Sequence, residues 1–172
     1  MVIIATENTS LYAFRKYGDM VLRTAYSCCG CYAEAEDIAQ EVFLYLHTKP
    51  VDFNDDEHMK AWLLRVAVNK CKNYKRSFRT SHTQPLEEEN AGTYSMDTTD
   101  IEVRELISSI PQKYSEVIYL YYYEGYQIKE IGKILGKNPS TVNSLLQRGR
   151  EKLKLELTEE KSPKKQGIMR RT

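Results

Sequence analysis

A chain of 172 residues can hold one ordinary domain or two small ones, and helical periodicity with only 8 glycines predicts an all-helical protein. A formal net charge of +1 excludes nucleic-acid binding by bulk charge, so any such binding must come from how the charges are arranged. The first residues carry neither a basic segment nor a long apolar run, so we expect no signal peptide, no membrane insertion and a cytoplasmic protein.

The first predicted helix begins near Leu11 and has apolar residues at the spacing of one helical face. That face holds Leu11, Phe14, Tyr17, Val21, Leu22 and Ala25. A cysteine cluster follows at Cys28, Cys29 and Cys31, and Cys71 is the fourth cysteine. A structural zinc needs four ligands and no matching second pair exists, so we expect reduced, structural thiols and neither a metal nor a cofactor. A redox-sensing interaction protein is the alternative, which thiol exposure and pKa decide.

The second predicted helix, residues 35–47, has a mixed polar and apolar side next to its core side. The mixed side, called the docking face below, holds Asp37, Gln40, Glu41 and Leu44. These positions recur at i, i+3, i+4 and i+7, so the four side chains are neighbours on one helix surface. This pattern favours a surface on which a partner docks, and the alternative is a solvated face that includes one leucine.

The third predicted helix, residues 58–76, combines a core side with a basic side. From Lys60 to Arg79 there are seven basic residues and no acidic one. The basic side, called the cationic stripe below, holds Arg65, Asn69, Lys72 and Arg76. Cations suit phosphate oxygens, an amide can pair with a base edge, and Phe53 and Trp62 are close enough in sequence to frame a base pocket. The alternatives are a solubilising surface for the stripe and a core position for Trp62.

A change in composition then divides the chain. Residues 80–99 are rich in Ser, Thr, Glu and Asn and lack apolar periodicity, which is typical of a flexible linker. The linker separates a first predicted domain, residues 8–79, from a second, residues 100–158. Residues 159–172 are polar and basic and are predicted to form a disordered tail.

The second domain ends in a helix, a short break and a basic helix between Gln127 and Leu153, which is the spacing of a helix-turn-helix. Gly136 is predicted to end the first of these helices, and Ser140 or Thr141 to cap the second. The side chains predicted to face outward are Asn143, Ser144, Gln147 and Arg148, with Arg150 adding positive charge. Such groups can pair with base edges and phosphates in the major groove of DNA. The alternative is an ordinary helical hairpin with a solvated face.

Three segments in this order resemble the sigma-70 family of transcription initiation factors, in its small extracytoplasmic-function group. The polymerase-docking motif of that family is similar to AEAEDIAQEVFLYLH, and its promoter-melting segment is similar to FNDDEHMKAWLLRVAVNKCKNYKR. Its C-terminal domain is similar to the run from Ile110 to Lys154. The resemblance implies a non-catalytic factor that binds core RNA polymerase and promoter DNA. It also implies an anti-sigma factor as a further partner.

The resemblance implies roles for individual residues as well. The residues implied to bind core polymerase are Asp37, Gln40, Glu41 and Leu44. Those implied to bind minus-ten DNA, by a flipped base or by the backbone, are Phe53, Asp55, Asp56, Arg65, Asn69, Lys72, Lys75 and Arg76. Those implied to bind the minus-thirty-five element are Ser140, Thr141, Asn143, Ser144, Gln147, Arg148 and Arg150. Gly149 stands where the family commonly has alanine, which costs up to about 1 kcal/mol of helix propensity.

The residues alone leave two other classes of protein to consider. A conventional dimeric regulator of duplex operators would need a dimerisation helix, and no sustained heptad repeat is visible. An enzyme would need a catalytic constellation, and the three histidines, His47, His58 and His82, lie in unrelated sequence contexts.

Overall fold

The computed structural model describes residues 9–49, 51–81 and 98–160, and within them the chain forms seven α-helices. The helices are α1 Thr9–Cys29, α2 Tyr32–Thr48, α3 Asp56–Ser81, α4 Thr98–Ser109, α5 Gln112–Tyr122, α6 Ile128–Leu135 and α7 Pro139–Glu160. This confirms the predicted all-helical fold. Most of the predicted linker and the predicted tail, residues 82–97 and 161–172, lie outside the described residues. Among the helices that the structure describes, none is long and apolar enough to cross a membrane.

Helices α1, α2 and α3 form the N-terminal domain. Gly30, whose φ of 79° suits a residue without a side chain, reverses the chain between α1 and α2. The predicted core face of α1 is only partly correct, because Leu11 and Phe14 are exposed. The buried face is rotated toward Ala13, while Phe14 meets Phe43 edge-on at a ring-centroid distance of 5.3 Å. Periodicity therefore located the helix but misplaced the beginning of its buried face.

Helices α4 to α7 form the C-terminal domain, with α5 at its centre. Seven consecutive residues of α5, from Tyr114 to Leu120, are buried, so this helix has neighbours on all sides. Helix α7 packs closely on α5 because Gly149 lacks a side chain: a Cβ there would lie 3.0 Å from Ile118 Cγ1. The glycine that costs helix propensity thus allows close approach of two helices.

The two domains also pack against each other. Helix α1 contacts α4 and α5, and α3 contacts α6. Residues of both domains, such as Val21 and Leu63 on one side and Val117 and Ile131 on the other, belong to one continuous apolar cluster. The composition of the chain predicted two domains but carried no signal for this contact between them.

Candidate nucleic-acid interface

The structure brings the four predicted docking residues together on the outside of α2. Asp37, Gln40, Glu41 and Leu44 are all exposed, and Leu44 is 62% exposed despite being apolar. They border a groove of about 750 Å³ whose other wall is formed by α3. Lys70 of α3 donates a hydrogen bond of 2.9 Å to Glu41 Oε2 across that groove. An exposed leucine among carboxylates is a surface that a partner protein can cover.

The predicted base pocket at the start of α3 differs from the expectation. Phe53 is 1% exposed, with its ring 5.7 Å edge-on from Trp62, so its side chain supports the core and does not reach a base in this conformation. Tyr45 of α2 is 39% exposed and stacks on Trp62 with ring centroids 6.0 Å apart. Lys49 and Lys70 lie over the Tyr45 ring. The aromatic surface near the stripe is therefore Tyr45 on Trp62.

The two acidic residues assigned to the minus-ten element hold the beginning of α3 in place. Asp55 Oδ1 accepts a 2.7 Å hydrogen bond from the backbone N–H of His58, as a helix cap does. Asp56 accepts hydrogen bonds from Lys16 and Tyr12 of α1. The Lys16 ammonium lowers the pKa of the Asp56 carboxyl. Both carboxylates thus have structural partners within the N-terminal domain.

The cationic stripe lies on one side of α3 as predicted, and two of its residues bond to the C-terminal domain. Arg65 donates from Nε to the Ile134 carbonyl at 3.1 Å and from Nη2 to the Lys133 carbonyl at 2.5 Å. Lys72 Nζ lies 3.4 Å from Glu116 Oε2. Arg65, Asn69 and Arg76 are nevertheless exposed and Lys72 is half-buried, whereas the side chain of Lys75 lies outside the described part of the chain.

Glu116 is an acid in an apolar helix, and its side chain is completely buried. Burial raises the pKa of its carboxyl, while the nearby ammonium groups of Lys72 and Lys137 act in the opposite direction. A second acid of this domain, Glu124, pairs with Lys60 of α3 at 3.1 Å. Neither Glu116, Glu124 nor Lys60 was among the predicted site residues.

The helix-turn-helix is present, and its turn is built differently from the prediction. Gly136 has a φ of 63° after the end of α6, as expected for a residue that stops a helix. The cap of α7 is Asn138, not Ser140 or Thr141. Its Oδ1 accepts hydrogen bonds of 3.0 Å from both the backbone N–H and the hydroxyl of Ser140. Gly132 of α6 packs against this turn, and a Cβ there would lie 2.7 Å from the Lys137 carbonyl oxygen.

The outward side of α7, called the recognition face below, is open. Its residues Ser140, Thr141, Asn143, Ser144, Gln147, Arg148 and Arg150 are all exposed. Val142 and Leu146 are buried on the opposite side. Arg150 turns toward α5, where its Nε donates a 2.8 Å hydrogen bond to the hydroxyl of Tyr122. Arg148 therefore lies on the open part of the face and Arg150 at its edge.

The cysteines are free thiols. Cys28 and Cys71 are buried, and burial raises the pKa of Cys29 to about 12, which leaves little reactive thiolate. Among the described residues, no group of three or more His, Cys, Asp or Glu side chains could hold a metal ion. These surroundings argue against a sensor thiol at Cys29.

Comparison with known proteins connects these surfaces to a family. Residues 13–80 match the family model described as Sigma-70 region 2, and residues 100–153 match Sigma-70, region 4. The ECF RNA polymerase sigma factor SigW of Bacillus subtilis is 31% identical over 160 residues, which is 82% of this chain and 84% of that protein. RNA polymerase sigma factor SigZ of the same organism is 30% identical over 127 residues, covering 69% and 70%.

Solved structures show the same fold. The sigma factor RpoE in complex with the anti-sigma factor NepR from Bartonella quintana aligns with a TM-score of 0.65 at 19% identity, over 88% of this chain and 98% of that chain. CnrH in complex with the cytosolic domain of CnrY aligns with a TM-score of 0.64 at 21% identity, over 92% of each chain.

Proposed function

The chain belongs to the sigma-70 family of transcription initiation factors, in its extracytoplasmic-function group, and we propose that its three surfaces divide the work of initiation between them. As a member of that family it binds core RNA polymerase and directs it to promoters. In the proposed division the docking face binds polymerase, the cationic stripe opens the minus-ten element, and the recognition face reads the minus-thirty-five element. The corresponding domains are residues 8–79 and 100–158, joined by residues 80–99.

The observation that carries this proposal is that the polar side chains of the recognition face are exposed. Its exposed amides, hydroxyls and guanidinium group have the donor and acceptor chemistry that reads base edges in a major groove. The buried residues Val142 and Leu146 fix α7 on the domain, so the polar side chains are presented on a rigid helix. Arg148 is the side chain we assign to a base, because it lies on the open part of the face.

Melting is assigned to the N-terminal domain. Extruding a base from a duplex costs a few kcal/mol, which contacts to the extruded base must offset. Asn69 supplies an exposed amide on α3, and the stack of Tyr45 on Trp62 supplies an aromatic surface flanked by Lys49 and Lys70. The proposed role of the protein is therefore to bind and reshape DNA, without a catalytic residue of its own.

In vitro transcription tests the function as a whole. Purified protein with core polymerase should transcribe a subset of templates from a library randomised upstream of the start site, and core polymerase alone should not. The recovered templates should share two separated sequence blocks. If transcription does not depend on the added protein, the assignment is wrong.

Asn69→Ala tests the melting role. We expect it to lower promoter opening, measured by permanganate reactivity of unpaired thymines, more than it lowers polymerase binding, because the amide is assigned to an extruded base. Asn73→Ala, an exposed amide one turn further along α3 that lines the groove beside the docking face, is the matched control and should lower opening no more than it lowers polymerase binding. Equal losses of opening and polymerase binding in Asn69→Ala would make Asn69 a structural residue.

Two further points follow from the family. A factor that works with polymerase on promoters acts where the chromosome is, so we place this protein in the cytoplasm. An anti-sigma factor is a further partner we propose, since RpoE, which is similar to this chain, was solved in complex with one. Co-purification of a partner with the tagged protein from the source cells would test this.

A further inference from the structure

The side chain of Arg150 is held beside α5 by two tyrosines. Its Nε donates a 2.8 Å hydrogen bond to the Tyr122 hydroxyl, and its guanidinium carbon lies 5.6 Å from the ring centroids of both Tyr121 and Tyr122. A cation at such a distance is attracted to an aromatic ring. The two rings meet edge-on with centroids 5.0 Å apart, an arrangement that is itself favourable. A long arginine side chain is thereby restricted to one place before any ligand binds.

The contact with Tyr122 leaves most hydrogen-bond donors of Arg150 available. It uses only Nε, and within the described part of the chain Nη1 and Nη2 form no hydrogen bond or ion pair. The Tyr122 hydroxyl accepts the bond from Nε, so its own O–H can still donate to another group. Tyr122 is 56% exposed and Arg150 is exposed, so a ligand can reach both side chains.

The donors of this pair suit a phosphate group. The Nη groups of an arginine can donate side by side to two phosphate oxygens, and the positive charge strengthens these bonds. A tyrosine hydroxyl is a further donor that proteins use toward the DNA backbone. Arg150 and Tyr122 together therefore offer a positive charge and donors from two different helices to one anionic group.

The position of Arg150 on α7 favours a backbone phosphate over a base. Gln147, Arg150 and Lys154 follow one another at i, i+3 and i+7, so these exposed residues form a line along the margin of the recognition face. The second helix of a helix-turn-helix lies in the major groove of DNA. Side chains in the middle of its outward side then face base edges, and those at its margin face the phosphates that border the groove.

We propose that Tyr122 and Arg150 form a clamp for one backbone phosphate of the minus-thirty-five element, in which Tyr122 positions Arg150 and also donates to the phosphate. Tyr122 is the last residue of α5, outside the helix-turn-helix, and was not among the predicted site residues. The inference depends on the proposed function of the recognition face, to which it adds a binding residue from another helix. The clamp fixes where α7 sits in the groove, and Arg148 reads a base from that position.

Methylphosphonate scanning tests the clamp. The probes are copies of a promoter recovered from the randomised templates, each with one phosphate of the minus-thirty-five element replaced by an uncharged methylphosphonate. The affinity of core polymerase carrying this protein is measured for every probe. At the phosphate held by the clamp, the replacement should weaken binding by about tenfold, because it removes the charge that the guanidinium group contacts.

Two substitutions identify the residues of the clamp. Tyr122→Phe keeps the ring and removes the hydroxyl, so it should weaken binding to unmodified DNA by about three- to tenfold. At the clamp phosphate alone, it should also reduce the effect of the methylphosphonate. Arg150→Gln should nearly abolish the methylphosphonate effect at that same phosphate. Because both residues act on one group, the double variant should lose less affinity than the product of the two single losses.

Tyr123→Phe is the matched control. It is the same change at the next residue, which is 37% exposed and stacks on Tyr119 within α5 with ring centroids 5.3 Å apart. It should leave the effect of every methylphosphonate as in the original protein. Urea unfolding checks that the three single variants fold, and Arg150→Gln, at an exposed position, tests the phosphate independently of Tyr122.

The outcomes separate this inference from the proposed function. If Tyr122→Phe lowers the affinity for all probes by the same factor, Tyr122 is only a structural residue and the clamp is wrong. The clamp is also wrong if Tyr122→Phe and Arg150→Gln change the effects at different phosphates. If no methylphosphonate in this element weakens binding of the original protein, the recognition face does not bind there, and the proposed function itself fails.

Discussion

The cationic stripe on α3 and the recognition face on α7 were predicted by the same kind of pattern, yet they have different surroundings. Polar residues at helical spacing identify both surfaces. The recognition face is exposed throughout, whereas Arg65 and Lys72 of the stripe bond to the C-terminal domain. A pattern within one helix thus predicts which side chains share a face, but not which distant part of the chain bonds to them.

Substitutions in the docking face, which lies on the same domain as the stripe, should have the largest effect. Asp37→Arg combined with Glu41→Arg should abolish co-purification with core polymerase, because like charges across an interface cost several kcal/mol. Both side chains are exposed, so helicity by circular dichroism should not change. Glu36→Arg with Asp52→Arg, at two other exposed acids, is the control that should still bind. Retained association of the first variant would exclude α2 as the docking surface.

The recognition face depends on the turn that precedes it, and Gly132 of α6 packs against that turn. Gly132→Ala should destabilise the protein by about 1 to 3 kcal/mol, because the added Cβ would meet the Lys137 carbonyl oxygen. Gly18→Ala in α1 is the control, since a Cβ there has ordinary contacts at 3.8 Å and should increase stability by up to about 1 kcal/mol. Urea unfolding measures both, and equal effects of the two substitutions would contradict the close approach in the turn.

Base reading and phosphate binding can be separated on α7. Arg148→Ala should cost about 1 to 3 kcal/mol and relax the preference at one minus-thirty-five position, whereas Lys152→Ala should weaken binding to all promoters alike and reduce the salt dependence. Transcription from templates randomised in that element measures both effects. A uniform loss in Arg148→Ala would make Arg148 a phosphate contact and leave selectivity to Asn143, Ser144 and Gln147 or to DNA shape.

The smallest effect concerns the buried acid that faces the stripe. The pKa of Glu116 is raised above its ordinary value of 4.5, so the folded protein holds this proton more tightly than the unfolded chain does. Stability from this group therefore falls as pH rises through the range above 4.5. Glu116→Gln has no carboxyl to ionise, so it should not lose stability as the pH rises. At pH 8 it should be more stable than the original protein by up to about 1 kcal/mol, a small effect because Lys72 remains partly solvated. The difference should shrink at pH 5 in urea unfolding, and a constant difference would contradict the raised pKa.

Features that depend on residues close together in the sequence could be predicted, and features that depend on packing between distant helices could not. Local periodicity located the docking face, the stripe and the helix-turn-helix, because each depends on residues within a few turns of one another. The predicted cap of α7, Ser140 or Thr141, is wrong because Asn138, which caps the helix, is also a capping residue and lies only two positions earlier. Burial of Phe53 and exposure of Tyr45 depend on how helices pack. One signal was available and missed: Glu116 is the only charged residue in an otherwise apolar or hydroxyl-bearing run of α5, which is typical of a buried, paired charge.

The central claim is that two lysines of α3 pair with carboxylates of the C-terminal domain while the lysines of α7 stay exposed, and lysine modification measures this most directly. An amine-reactive reagent, followed by mass spectrometry, compares Lys60 and Lys72 on α3 with Lys152 and Lys154 on α7. The account predicts that both α3 lysines react several-fold more slowly than both α7 lysines, and that unfolding in urea removes the difference. Equal rates at all four lysines in the folded protein would contradict it.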